Sequence, residues 1–181
     1  MKTATLTLIS LTCILSSCSK FDPLLNKIYE LPYTIASSPD VDAEKKTTNG
    51  GITYSFPVVP FATHSADKLG AYGVTPARVA DVNIDKLTQT ISGDDFSFAD
   101  KLKFYVSTST LPEVLVGTLD EVPQDVRKVT FNCTGNNIKQ YYMADTIYLR
   151  LEARLVEMPK KKYSYSTGII FAVNTVHKSA K

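Results

Sequence analysis

In Thr146-Ile147-Tyr148-Leu149-Arg150-Leu151-Glu152-Ala153-Arg154-Leu155, every odd position is apolar and nearly every even one is polar. Side chains of an extended chain alternate between two faces, so this period of two predicts a strand with one side in a core and the other in water. Weaker versions of the pattern recur. Tyr29, Leu31, Tyr33 and Ile35 share one parity, and Pro32 among them cannot donate to a ladder, which predicts an edge strand. Ile52, Tyr54, Phe56 and Val58 alternate next. Between positions 78 and 91 the phase slips: Val82 and Ile84 share one parity, Leu87 and Ile91 the other. One extra residue near Asp85 and Lys86 would restore it, so a β-bulge is expected there. Leu102, Phe104 and Val106 form a further apolar face, and Val129, Phe131 and Cys133 another. A short strand is expected over 114–119, and a long final one over 163–176 with two fairly apolar faces.

The punctuation between these runs is polar. Residues 37–51 read as a loop, with Asn49-Gly50-Gly51 its strongest turn signal, and Ser92-Gly93-Asp94-Asp95 reads as a turn. Residues 65–72 suit one or two helical turns capped by Ser65, and Gly70 and Gly73 argue against more. Seven to eight strands with almost no helix predict an all-β fold: a single antiparallel β-sandwich of immunoglobulin-like shape. A small barrel is the alternative, because alternation alone does not distinguish open from closed sheets.

The first twenty residues, MKTATLTLISLTCILSSCSK, follow a different rule. Lys2 is a minimal positive start, and positions 4–15 form an apolar stretch of roughly a dozen residues, too short for a bilayer span, which needs about 20. The run ends in Leu15-Ser16-Ser17-Cys18, which resembles a bacterial lipobox. That resemblance implies recognition of Leu15, Ser16 and Ser17 by signal peptidase II, cleavage before Cys18, and acylation of its thiol. Two acyl chains anchor firmly where one is marginal. The expected organisation is a lipoprotein signal peptide over 1–17, a lipidated Cys18 with a tether over 18–27, and a β-sandwich domain over 28–177. Membrane lipid is then a partner through acylated Cys18, and the expected location is the cell envelope, at the outer membrane.

Composition narrows the rest. Of three cysteines, Cys13 lies in the removed segment and Cys18 is acylated, leaving Cys133 with no partner for a disulfide. Lys and Arg total 20 against 18 Asp and Glu, a balance without the concentrated basic footprint of a nucleic-acid binder. The segment Phe96-Ser97-Phe98-Ala99-Asp100-Lys101-Leu102-Lys103-Phe104-Tyr105-Val106, with Ile138-Lys139-Gln140-Tyr141-Tyr142 ahead of the 146–156 strand, resembles small envelope lipoproteins of Bacteroidota. The resemblance covers about residues 79–176 and implies no particular activity.

Candidate chemistry is sparse. The two histidines, His64 in a loop and His177 near the end, sit in no catalytic motif, and neither G-x-S-x-G nor H-E-x-x-H occurs. No catalytic residue and no cofactor is expected. Asp94, Asp95 and Asp100, or Asp40 and Asp42, lack the spacing of an EF-hand, and two His with one usable Cys are too few for a zinc site, so no metal is expected. Cys133 alternates in phase with Phe131, as a small buried hydrophobe would. Thr146, in Asp145-Thr146-Ile147, resembles the O-glycosylation site of Bacteroidota. Arg150, Glu152 and Arg154 share one strand face, either as a solvated surface of alternating charge or as a greeting for an anionic partner. Lys160, Lys161 and Lys162 suit a hairpin tip or anionic headgroups. Tyr141, Tyr142, Tyr163 and Tyr165 are available to stack a sugar, although tyrosine in strands is more often packed. The expectation is a lipid-anchored, non-catalytic accessory or binding module. The alternatives are a fimbrillin-like structural subunit and a glycan-binding module of a surface uptake system.

Overall fold

The computed structural model describes residues 28–37, 45–48, 51–157 and 164–176. Its strands are β1 (Ile28–Ser37), β2 (Lys45–Thr48), β3 (Gly51–Ser55), β4 (Val59–Ala62), β5 (Val79–Ser92), β6 (Ala99–Ser107), β7 (Val114–Leu119), β8 (Lys128–Thr130), β9 (Asn132–Cys133), β10 (Thr146–Leu155) and β11 (Ser164–Thr175). Two short helices, α1 (Ser65–Ala71) and α2 (Lys139–Tyr142), lie between them. The strands form two antiparallel sheets, one ordered β1-β11-β5-β8 and the other β2-β3-β10-β6-β7-β9, with β4 also on β10. Among the described residues neither sheet closes on itself, so the fold is an all-β sandwich and not a barrel.

The alternation in β10 is realised without a fault. Ile147, Leu149, Leu151, Ala153 and Leu155 are buried, and the residues between them are half-exposed. These side chains meet Leu102, Phe104 and Val106 of β6 and, from the smaller sheet, Val82, Ile84, Leu87 and Ile91 of β5 with Ile169, Phe171 and Val173 of β11, in one core. Each such side chain stabilises the fold by about 1.5–3 kcal/mol relative to exposure. The phase slip in β5 is a bulge: Ile170 opposes Lys86 and Phe171 opposes Ile84, leaving Asp85 without an opposite number. β1, which carries Pro32, borders the smaller sheet, where a missing N–H is tolerated.

Four local expectations change. The polar stretch 37–51 is not wholly loop, since Lys45–Thr48 pairs with β3. Ile52, Tyr54, Phe56 and Val58 do not share one buried face: Tyr54 and Phe56 are buried, whereas Ile52 and Val58 are exposed. The break falls at Pro57, after which Val59 and Phe61 oppose the buried Leu149 and Ile147. Ser65 is not the cap of α1. His64 takes that position in a left-handed conformation (φ 47°), and the Ser65 N–H is received by Thr63 Oγ1 at 3.3 Å. Finally, the apolar run around Phe131 is not one strand. β8 pairs with β5 in one sheet and β9 with β7 in the other, so the chain changes sheets at Phe131, whose N–H is held by the Leu87 carbonyl at 3.0 Å. Such crossings and breaks raise the strand count to eleven among the described residues.

Gly117 marks the closest approach inside the sandwich. A Cβ there would lie 2.9 Å from Leu87 Cδ2 and 3.1 Å from Phe131 Cβ, so glycine lets β7 sit this close to the opposite sheet without displacing either.

Candidate functional site

The densest polar cluster lies on the outer face of the larger sheet. Antiparallel register sets Arg150 opposite Tyr105 and Glu152 between Lys103 and Ser55. Arg150 donates through Nε and Nη2 to the two carboxylate oxygens of Glu113, each at 2.6 Å. Its Nη1 donates to Ser55 Oγ at 2.7 Å and to Glu152 Oε2 at 3.1 Å. The guanidinium carbon also stands 4.2 Å from the centre of the Tyr105 ring, a cation–π arrangement. The Tyr105 hydroxyl donates to Glu152 Oε1 at 3.4 Å, and Lys103 Nζ lies 3.8 Å from the same oxygen.

These contacts fix the electrostatics. The hydrogen bonds that Arg150 donates to Glu113 and Glu152 hold the guanidinium charged far beyond its usual range, outweighing partial burial. Burial, aided by Glu152, pushes the Tyr105 phenol up. Arg154 makes a second bidentate pair, donating to both carboxylate oxygens of Asp100, with Nε to Oδ1 at 2.6 Å. Its hydrogen bonds hold the Asp100 carboxyl below the usual carboxylate range. Lys101 faces Asp120 at 3.3 Å at the margin.

Of the two expectations for this face, alternating charge accounts for the arrangement. Arg150 has only 18% of its side chain exposed, and four of its N–H directions are spent on neighbours. An anionic partner would have to displace Glu113. Strand spacing singles out Arg150, Glu152 and Arg154 but not Tyr105, Glu113, Ser55 or Asp100 as their partners. Glu113 precedes β7, and nothing in its neighbourhood signals a partner 37 residues away.

The other singled-out residues are dispersed. Leu15, Ser16, Ser17, Cys18, Asp40, Asp42, Lys160, Lys161, Lys162, Tyr163 and His177 lie outside the described residues. Thr146 is half-buried at the first position of β10, beside the exposed Asp145, whose carbonyl is taken by the Thr63 N–H at 3.0 Å. Cys133 is half-buried rather than enclosed. Its thiol contacts the Phe131 carbonyl at 3.9 Å, and burial pushes it up, disfavouring the reactive thiolate. Asp95 accepts the Ser97 N–H at 2.9 Å and so caps a 3₁₀ turn at residues 96–98, while Asp94 accepts the Asp95 N–H at 3.1 Å. No three His, Cys, Asp or Glu side chains gather among the described residues. Tyr142 is enclosed against Phe171 with ring centres 5.0 Å apart, and Tyr165 is enclosed against Phe56 at 5.1 Å. Tyr141, half-buried, donates to the Pro112 carbonyl at 2.9 Å. These rings are packing, not a stacking platform.

No protein-family model matches the chain, and no curated protein does. Among solved structures, a chain of Desmodium yellow mottle tymovirus is similar at 12% identity and a TM-score of 0.32, covering 86% of this chain and 91% of that one. Among the described residues no helix is long and apolar enough to cross a membrane.

Proposed function

We propose that this chain is a lipid-anchored, non-catalytic accessory or binding module of the cell envelope, held at the outer membrane by an acylated Cys18. The observation that carries the reading is Leu15-Ser16-Ser17-Cys18 at the end of a short apolar run. The domain that follows is compatible with that role. Nine residues lie between Cys18 and the start of β1, ten steps along the chain, enough for a tether of at most about 35 Å when fully extended. The side chains from which acid–base chemistry would be drawn on the outer face, Glu113, Glu152 and Asp100, are engaged by arginines, which favours a scaffold over a reaction centre. Replacing Cys18 by Ala tests the reading: the variant should leave the membrane fraction and incorporate no radiolabelled palmitate. A Cys18→Ala chain that still pellets with membranes and takes up label removes the anchor.

A second reading is a fimbrillin-like subunit that assembles by strand exchange. It is favoured by β1, which among the described strands borders its sheet and pairs along all ten residues with β11 alone. Concentration-dependent polymers lacking the first strand would support it. Monodisperse monomers by light scattering would exclude it.

A further inference from the structure

The edges of an open sheet carry backbone N–H and C=O groups that can template another strand, and most edges of this sandwich are covered. Along β5, beyond the reach of the three-residue β8, the Val82 carbonyl receives the Ile138 N–H at 2.7 Å and the Val82 N–H is taken by Asn137 Oδ1 at 3.3 Å. Lys139 Nζ donates to the Val79 carbonyl at 2.5 Å. Along β7, the Thr134 N–H reaches the Val116 carbonyl at 3.0 Å, and Thr134 Oγ1 and Asn136 Nδ2 both donate to the Leu115 carbonyl. β2 is four residues long and includes Lys45 and Lys46. β1 is different: it runs for ten residues, pairs with β11 on one side, and has no described strand on the other.

The register fixes which way the backbone of β1 faces. In an antiparallel ladder both groups of one residue face one neighbouring strand, and those of the next residue face the other. On β5, both groups of Val82 face away from β11, as do the Leu87 carbonyl and the Ile91 N–H, which meet Phe131 and Arg127. The bulge accounts for the change from even to odd positions. Asn83, Thr88 and Thr90 therefore bond to β11, where Ala172, Gly168 and Ser166 oppose them. That leaves the odd-numbered residues of β11 to bond to β1, where their opposites are Tyr29, Leu31, Tyr33 and Ile35. Glu30, Pro32, Thr34 and Ala36 consequently aim their backbone groups at the open edge, and the position without an N–H lies near its middle.

We infer that Pro32 is a guard: it closes the open edge of β1 to the β1 of a second copy of this chain and so keeps the protein monomeric. β1 is otherwise matched to itself. Two copies paired antiparallel about Tyr33 would set Leu31 against Ile35 and Glu30 against Ala36, which preserves the alternation and joins two four-stranded sheets into one. The same register sets Pro32 against Thr34, where residue 32 owes an N–H to the partner's carbonyl, and the two-fold repeats the loss. The ring carbon in place of that hydrogen also holds the carbonyl off. Against β11 the proline loses no bond, because its nitrogen faces outward. The inference goes beyond the anchored reading and holds whether or not Cys18 carries lipid.

Sedimentation and amide exchange on the full chain in excess dodecyl maltoside test the guard. The parent should be monomeric, with the Leu31 and Tyr33 amides protected by β11 and those of Glu30 and Thr34 exchanging freely. Pro32→Thr and Pro32→Ala should associate at concentrations roughly tenfold or more below any at which the parent does. Protection should then spread to Glu30 and Thr34. Moving the proline, by Pro32→Thr combined with Thr34→Pro, should restore monomers. A parent that self-associates, or whose Glu30 and Thr34 amides are already protected, overturns the guard. Proline-free variants that stay monomeric overturn it too, as does association that survives the moved proline. Loss of the fold in both single variants would mean that residue 32 serves the strand and not its edge, and would equally end the idea.

Discussion

Arg150 and Glu113, 37 residues apart in sequence, are joined by two parallel hydrogen bonds of 2.6 Å. The pair ties the segment entering β7 to the central strand β10, and Ser55 Oγ on the same guanidinium ties in β3. One side chain thus links three neighbours across the outer face. Bidentate arginine–carboxylate pairs are the stronger kind, and this one is shielded by the Tyr105 ring. Glu113→Gln should cost about 1 kcal/mol and Arg150→Ala about 2 kcal/mol in urea unfolding. The double variant should reveal a coupling of roughly 1 kcal/mol. Strictly additive losses would mean that the pair holds nothing together.

Gly117 offers a test of packing between the sheets. A methyl group placed there meets Leu87 Cδ2 at 2.9 Å and Phe131 Cβ at 3.1 Å, and Phe131 is anchored where the chain changes sheets. Leu87 Cδ2 is the far end of a side chain and can turn aside, but Phe131 Cβ is fixed to the backbone and must itself move, so Gly117→Ala should destabilise by about 1–3 kcal/mol. The urea midpoint should fall with an unchanged slope. A neutral substitution would show that the sheets part easily at this point.

Acid should act through Asp100. Its folded-state carboxyl lies below the ordinary value because Arg154 donates to both its oxygens. A depressed carboxylate contributes stability that is complete above its unfolded pKa of about 3.9 and is lost as pH falls through the lower folded value. Stability measured from pH 6 down to pH 2 should therefore decline, and Asp100→Asn should flatten the acid end of that decline while lowering the plateau. An Asp100→Asn curve parallel to the parent at every pH would show that this pair does not contribute to acid sensitivity.

These features differ in how far they could be read from the chain. β10 was legible because its two faces meet different media, and the slip in β5 was legible because one extra residue at Asp85 displaces every later side chain. β2 was not, since Lys45-Lys46-Thr47-Thr48 has no apolar alternation and is a strand only because β3 lies beside it. The turn of phase at Pro57 was hidden for the opposite reason. Val58 is apolar and fits the alternation, yet the break leaves it 51% exposed. On the outer face, strand spacing placed Arg150, Glu152 and Arg154 together. Glu113, Ser55 and Asp100 come from other strands or their approaches, and only the register brings them in.

The most telling polar contact is inside. Gln89 and Thr167 oppose each other across β5 and β11 on the buried side, 2% and 6% exposed, with the Thr167 hydroxyl donating to Gln89 Oε1 at 2.7 Å. A buried hydrogen bond contributes little net stability, because water would satisfy both groups in the unfolded chain, whereas an orphaned buried group costs about 1–3 kcal/mol. Thr167→Val should therefore lower stability by that amount, since it leaves the amide oxygen without its donor. Gln89→Leu combined with Thr167→Val should recover most or all of the loss, as both groups are then apolar and similar in volume. Pairing specificity is the property the double variant would give up: a slip of one residue between β5 and β11 would no longer strand a polar group in the core. Amide exchange across the two strands reads this directly, and it should be faster in the double variant than in the parent even where the unfolding midpoints agree. Parent-like exchange in the double variant would mean that the apolar neighbours alone set the register.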